Sequence, residues 1–206
     1  MPLQNRVTPF GEIVFSESRG TLMGNRGCLH DRHRTLGRRR WTTRSWVACA
    51  LAFRGRDRKP LMKPGRYTEL FFLDEATALA AGHRPCATCR RADYHRFGEA
   101  CAVARGRPGE RPSPTELDAA IHAARVDRRR DKVTFDMPLE ALPDGTMIAL
   151  GTAAFLKWNS MLRPWSFDGY GATVPASIGT AVSVLTPRPI VEAIRCGYQP
   201  TVHWTA

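Results

Sequence analysis

His83-Arg84-Pro85-Cys86-Ala87-Thr88-Cys89-Arg90-Arg91 holds the one close cysteine pair of the chain. Two thiols separated by two residues can both approach a single tetrahedral ion from a tight turn. Arg84, Arg90 and Arg91, together with the N-terminus of the helix expected after them, favour the thiolate form. A redox pair would sit at the start of a long helix directly after a buried strand, and here a short helix intervenes. The pattern predicts a zinc site with Cys86 and Cys89 as two of its ligands.

A closed structural site needs two more ligands, and upstream the chain offers Cys28, His30, His33, Cys49 and His83. Cys101 lies well down the following helix and points elsewhere. Cys49 closes an alternating apolar stretch, where a strand end commonly presents a ligand and a small buried thiol is equally at home. The turn Gly24–Asp31 offers Cys28 and His30, with Asp31 as a carboxylate to orient a ligand. The expected set is Cys86, Cys89, Cys49 and His30.

Around this site, Ser45–Phe53 and Tyr67–Leu73 have the alternation and β-favouring content of strands, separated by the polar loop Arg54–Arg66. Asp74 is placed to cap a short helix, Glu75–Ala81, stopped by Gly82. A second helix is expected over Arg90–Arg105. Gly106–Pro114, with three prolines and two glycines, is a linker. Ser113-Pro114-Thr115-Glu116 has the form of a capping box with proline at the first helical position, opening a third helix. Short strands follow at Lys132–Asp136, Thr146–Leu150, Ala153–Trp158, Met161–Trp165 and Ala181–Leu185, and Pro189–Cys196 forms a last helix. The expected architecture is α+β: an N-terminal zinc-binding α+β module over 1–105, a linker and helix over 106–130, and a small β-rich, barrel-like domain over 131–206.

The segment from Glu69 to Arg91, an apolar strand, an Ala-rich helix and then Gly-His-Arg-Pro-Cys-x-x-Cys, resembles the metal-binding module of the Ada DNA-repair protein. Thr42-Thr43-Arg44-Ser45-Trp46-Val47-Ala48-Cys49 is similar to the strand that supplies that family's methyl-accepting zinc thiolate. The resemblance covers roughly residues 42–95. It implies zinc on Cys86 and Cys89, Cys49 as the reactive ligand, and a role in DNA repair or processing. Phe53 stands where the family's next cysteine ligand would be.

The charge is concentrated. The 206-residue chain carries +12, and residues 19–66, with 14 basic side chains against Asp31 and Asp57, account for all of it. Clustered charge acts on a partner within a Debye length of about 8 Å, so nucleic acid, DNA before RNA, is the expected partner. Arg38, Arg39, Arg40, Arg44, Arg54, Arg56 and Arg58 are the expected phosphate contacts, with Trp41 and Phe53 available for stacking on unpaired bases. A GC-rich genome also raises arginine content, which leaves a merely solvated basic face or an acidic protein partner as alternatives.

Other functions find less support. No His-x-Glu precedes Pro85-Cys86-x-x-Cys89, as a zinc-dependent base deaminase requires. Gly20–Gly27 lacks the Gly-Lys-Ser/Thr ending of a phosphate loop, so no nucleotide cofactor is expected. His30, Asp31 and His33 would serve a metal-dependent nuclease, or a zinc-bound Cys49 another DNA- or RNA-processing enzyme. No run is apolar enough to span a bilayer and the first residues lack a signal-peptide pattern. A cytoplasmic protein with reduced thiols and no membrane partner is expected.

Overall fold

The computed structural model describes residues 2–175, 179 and 181–206. The first half forms β1 (Gln4–Val7), β2 (Ile13–Phe15), β3 (Leu22–Asn25), β4 (Val47–Ala50), β5 (Leu70–Phe72), α1 (Glu75–Ala80), β6 (Arg84–Pro85) and α2 (Arg91–Ala104). After α3 (Pro114–Arg125) come β7 (Phe135–Pro138), β8 (Met147–Leu150), β9 (Ala153–Trp158), β10 (Met161–Ser166), β11 (Gly169–Tyr170), β12 (Val174–Pro175), β13 (Ala181–Val184) and α4 (Arg188–Arg195). The described residues thus form a mixed α+β fold with two sheets and four α-helices. None of these helices is long and apolar enough to cross a membrane.

The first sheet runs β2-β1-β5-β3-β4-β6 and is mixed: β1 with β5 and β4 with β6 are parallel, and the other pairs antiparallel. Its centre is tight. A Cβ on Gly24 of β3 would lie 2.3 Å from the Val47 carbonyl oxygen and 2.8 Å from the Phe72 ring, so only glycine lets Phe72 lie against β3.

The second sheet runs β11-β10-β9-β8-β13-β7, with β12 added beside β10. It is open, which corrects the barrel expected for residues 131–206. Its faces are occupied by helices instead of by a returning strand: Val191 of α4 packs with Ile148, Val182 and Val184, while Ala76 and Ala80 of α1 pack with Met147 and Leu156. A sheet of short strands whose faces are already buried by helices gains nothing by closing on itself.

All six residues of α1 are buried, and they serve three separate clusters. Ala78 packs with Val7, Leu70 and Phe72 of the first sheet. Leu79 joins Phe97, Leu117, Ile121 and Ile190 of the other helices. Ala76 and Ala80 face the second sheet. A helix surrounded on every side needs small side chains, which accounts for its alanines.

The cap of α1 is where its neighbours attach. Asp74, 1% exposed, accepts from the Thr77 amide (2.9 Å) and hydroxyl (2.7 Å), the Tyr170 hydroxyl (2.8 Å) and the His203 amide (2.9 Å). Burial raises the pKa of its carboxyl, and hydrogen bonds from Thr77, His203 and Tyr170 pull against that shift. Glu75, also 1% exposed, pairs with Arg90 at 2.9 Å, accepts from the Thr201 amide at 2.9 Å and takes the Tyr198 hydroxyl. Replacing Asp74 by Ala strands four donors, two of them from the second half of the chain. Each orphaned buried donor costs about 1–3 kcal/mol, so Asp74→Ala is expected to lower stability by at least about 3 kcal/mol. Urea unfolding checks this, and a loss below about 1 kcal/mol would show that the cap does not join the two halves.

Candidate metal centre

Cys49 belongs to β4, and the thiols of Cys86 and Cys89 sit in the turn that leaves β6. The parallel pairing of β4 with β6 sets Val47 beside Arg84 and Ala48 beside Pro85, and the Cys86 amide continues the ladder by donating to the Ala48 carbonyl at 2.9 Å. The next residue on each strand is therefore a cysteine of the site. The turn is closed by the Arg90 amide donating to the Cys86 carbonyl at 3.0 Å, and α2 begins immediately afterwards. The three sulfurs lie within 4.8 Å of one another, close enough to hold a metal ion.

The position is sheltered. Cys49 is buried, and Cys86 and Cys89 are half-buried. The three thiols shift one another's pKa in opposite directions. The hydrogen bond from Cys49, assisted by the amides of Cys89 and Thr88, the latter at 3.4 Å, pulls Cys86 down to about 4 against the effect of burial. The same hydrogen bond and burial push Cys49 up, and burial also pushes Cys89 up. A divalent ion binds cysteine as thiolate, so binding is expected to release the protons still held by the three sulfurs.

Two of the arginines beside the pair have other partners. Arg84 makes a two-pronged pair with Asp118 of α3, both contacts at 2.8 Å, and Arg90 is held by Glu75 and Asp93. They fix the turn between α1, α2 and α3 more than they charge the sulfurs.

His30 is not brought to the cluster, a correction to the expected ligand set. Its Nδ1 meets the Thr68 hydroxyl at 2.7 Å and its Nε2 the Lys63 carbonyl at 3.2 Å, so both ring nitrogens have protein partners. Cys28 is exposed, its sulfur 3.7 Å from the His30 carbonyl. Asp31 accepts from the amides of His33 (2.8 Å) and Thr35 (3.0 Å), which lower its pKa, and so shapes its own loop. His33 accepts from Arg32 at 3.0 Å. His30, Asp31 and His33 form no metal-binding group among the described residues.

Of the seven arginines expected at a phosphate face, Arg38, Arg39, Arg40, Arg44, Arg54 and Arg56 are exposed. Arg58 is half-buried and turned inward, donating to the carbonyls of Ala50, at 3.3 Å, and Leu51. It braces the backbone just after Cys49. Arg26, counted with the basic segment, is 2% exposed. A net-charge count carries no signal for which cations turn inward.

About one equivalent of metal per chain is expected by elemental analysis of purified protein. It should be lost in Cys49→Ala, Cys86→Ala and Cys89→Ala and kept in Cys28→Ala and His30→Ala. A folded wild type without metal, or loss of metal in His30→Ala, would overturn this assignment. Comparison with protein-family models, curated proteins and solved structures finds no match for this chain, so its function is read from these residues alone.

Proposed function

We propose that the chain is a zinc protein that binds nucleic acid, DNA before RNA, through the exposed part of its basic segment. The observation that carries this reading is the group Arg38, Arg39, Arg40, Arg44, Arg54 and Arg56. All six are exposed, and among the described residues none forms an ion pair. Arg39, Arg40 and Arg44 share a surface with the half-buried Trp41, which suits a phosphodiester backbone with bases available for stacking. Three thiolates favour a soft, tetrahedral ion, and zinc fits that donor set. Its role in this reading is to hold β4, the β6 turn and the start of α2 together beneath the basic loops. The shared order of strand, short helix and Cys-x-x-Cys supports an Ada-type module, although three clustered cysteines do not by themselves identify one.

One observation favours a second reading, a metal-dependent processing enzyme. The cluster supplies three ligands, and catalytic zinc sites characteristically keep a fourth position open for water or substrate. In that case Cys49→Ser would abolish turnover of a nucleic-acid substrate while leaving its binding intact.

Binding of labelled random-sequence DNA, followed by fluorescence anisotropy between about 50 and 200 mM salt, tests the first reading. Affinity should fall steeply with salt. The combined Arg38→Gln, Arg39→Gln, Arg40→Gln variant should flatten the log–log slope by about 3, near 0.9 for each lost phosphate contact. Absence of binding at low salt, or an unchanged slope in the variant, would remove nucleic acid as the partner.

A further inference from the structure

A cavity of about 600 Å³ opens between the two sheets beside α3, with cations at its base that have no carboxylate partner. Arg26 is 2% exposed. Its Nη1 donates to the Gly11 carbonyl at 2.9 Å and its Nε contacts the neutral His83 ring at 3.4 Å, while its Nη2 has no partner. Arg125, also 2% exposed, donates to the carbonyls of Gly82 (2.7 Å) and Arg44 (2.8 Å), and its Nε is unpartnered. Both guanidiniums stack on Trp46, at 4.1 and 3.6 Å from the ring centre. The half-buried Lys132 donates to the Ala80 carbonyl at 2.6 Å.

Local structure is built to hold this arrangement. Gly82, at φ +83°, ends α1 and leaves room for the Arg125 side chain, whose Cδ would lie 2.5 Å from a Cβ there. The Trp46 indole is fixed by donating to the Thr43 carbonyl at 2.9 Å. A guanidinium cannot give up its proton at ordinary pH, and a buried charge without a counter-charge is costly. The strain shows in the neighbours: burial, followed by Arg26 and Arg125, pulls Lys132 down to about 7. Burial and the nearby Arg26 and Arg125 hold His83 well below the usual histidine range, so it adds no counter-charge and no further cation.

On the exposed side the cavity is lined by Arg40, Arg130 and Trp41, and Trp41 and Arg130 also line a second cavity with Arg39, Arg44 and Arg128. Two carboxylates, Glu12 and Asp131, reach the lining, and neither pairs with any of these cations. Four guanidiniums and the Lys132 amine against two carboxylates make the cavity lining strongly basic and favour an anion with several acceptor oxygens. The volume exceeds what inorganic phosphate needs and falls in the range of small-ligand sites. The half-buried Trp41 indole supplies an aromatic part of that lining.

We propose that this cavity binds a phosphate monoester of nucleotide size, its phosphate among the basic side chains Arg26, Arg40, Arg125, Arg130 and Lys132 and its planar group beside Trp41. The ester is either a free mononucleotide or the terminal phosphate of a strand. The site goes beyond the polymer-binding reading and does not depend on it.

Calorimetric titration of the purified 206-residue chain tests the proposal with inorganic phosphate, adenosine monophosphate, and one oligonucleotide carrying a 5′-phosphate or a 5′-hydroxyl. Adenosine monophosphate should bind at least about tenfold more tightly than phosphate. The 5′-phosphorylated strand should exceed its 5′-hydroxyl form by a similar factor if the source is a strand end, and equal it if the source is the free ester. Lys132→Met and Arg130→Gln should each weaken the monophosphate about fivefold or more, and Arg26→Gln more still. If Arg26→Gln does not fold, Lys132→Met and Arg130→Gln decide. No binding of any phosphate at about 10 mM, or binding unchanged in both of those variants, would overturn the proposal. Binding of the 5′-hydroxyl strand reads the exposed arginines separately.

Discussion

Two consecutive buried carboxylates, Asp74 and Glu75, hold the molecule together. They stand at the N-terminus of the helix that touches three hydrophobic clusters, where the unpaired amides of the first turn favour negative charge. Burying them is tolerable because their oxygens are satisfied by groups from distant parts of the chain: Tyr170, Tyr198, Thr201 and His203 on one side, Arg90 on the other. The hydrophobic contacts of α1 are numerous but non-directional. The carboxylates add directional bonds to partners from both halves of the chain, and a methyl group in place of either would leave amide and hydroxyl donors facing a dry interior.

The cysteine cluster follows from that placement. Because Glu75 grips Arg90 and Arg84 grips Asp118, the turn carrying Cys86 and Cys89 is tied to α1 and α3. The short parallel ladder between β4 and β6 then delivers Cys49 to it. The trio is positioned by this backbone ladder and by these ion pairs, which fix the elements that carry the sulfurs. Arg58 extends this coupling outward by linking the loop after Cys49 to the carbonyls of Ala50 and Leu51.

Legibility in the sequence tracked how local each feature is. The Asp74 cap, the Ser113–Glu116 capping box and the limits of β9 follow from residues a few positions apart, and the structure has them. Cys86 and Cys89 were visible for the same reason. Cys49 could be reached only through a strand end and a resemblance, because its neighbour in space comes from a parallel pairing that no turn signal announces. His30 reads as a ligand because a Gly-rich turn with Cys and His has the form of a ligand loop, whereas its ring is satisfied by Lys63 and Thr68, far along the chain. Strands such as Gln4–Val7 and Leu22–Asn25, four residues each, have too mixed a composition to stand out. The largest omission was the inward turn of Arg26, Arg58 and Arg125: a charge count treats every arginine as solvated, and only packing decides otherwise.

The reach of those hydrogen bonds along the chain also bears on how the protein is made. Asp74 is joined to His203 across 129 residues and Glu75 to Thr201 across 126. During synthesis the first sheet can collapse around Leu70 and Phe72, yet the two carboxylates beside it stay without these partners until residues 198–203 have left the ribosome. Until then α1 has water, not protein, on the side that later becomes core, and its apolar faces are exposed to other chains. A nascent polypeptide cut short before Tyr198 therefore lacks the contacts that seal its centre, which makes it a substrate for chaperones or proteases more than a partly working product.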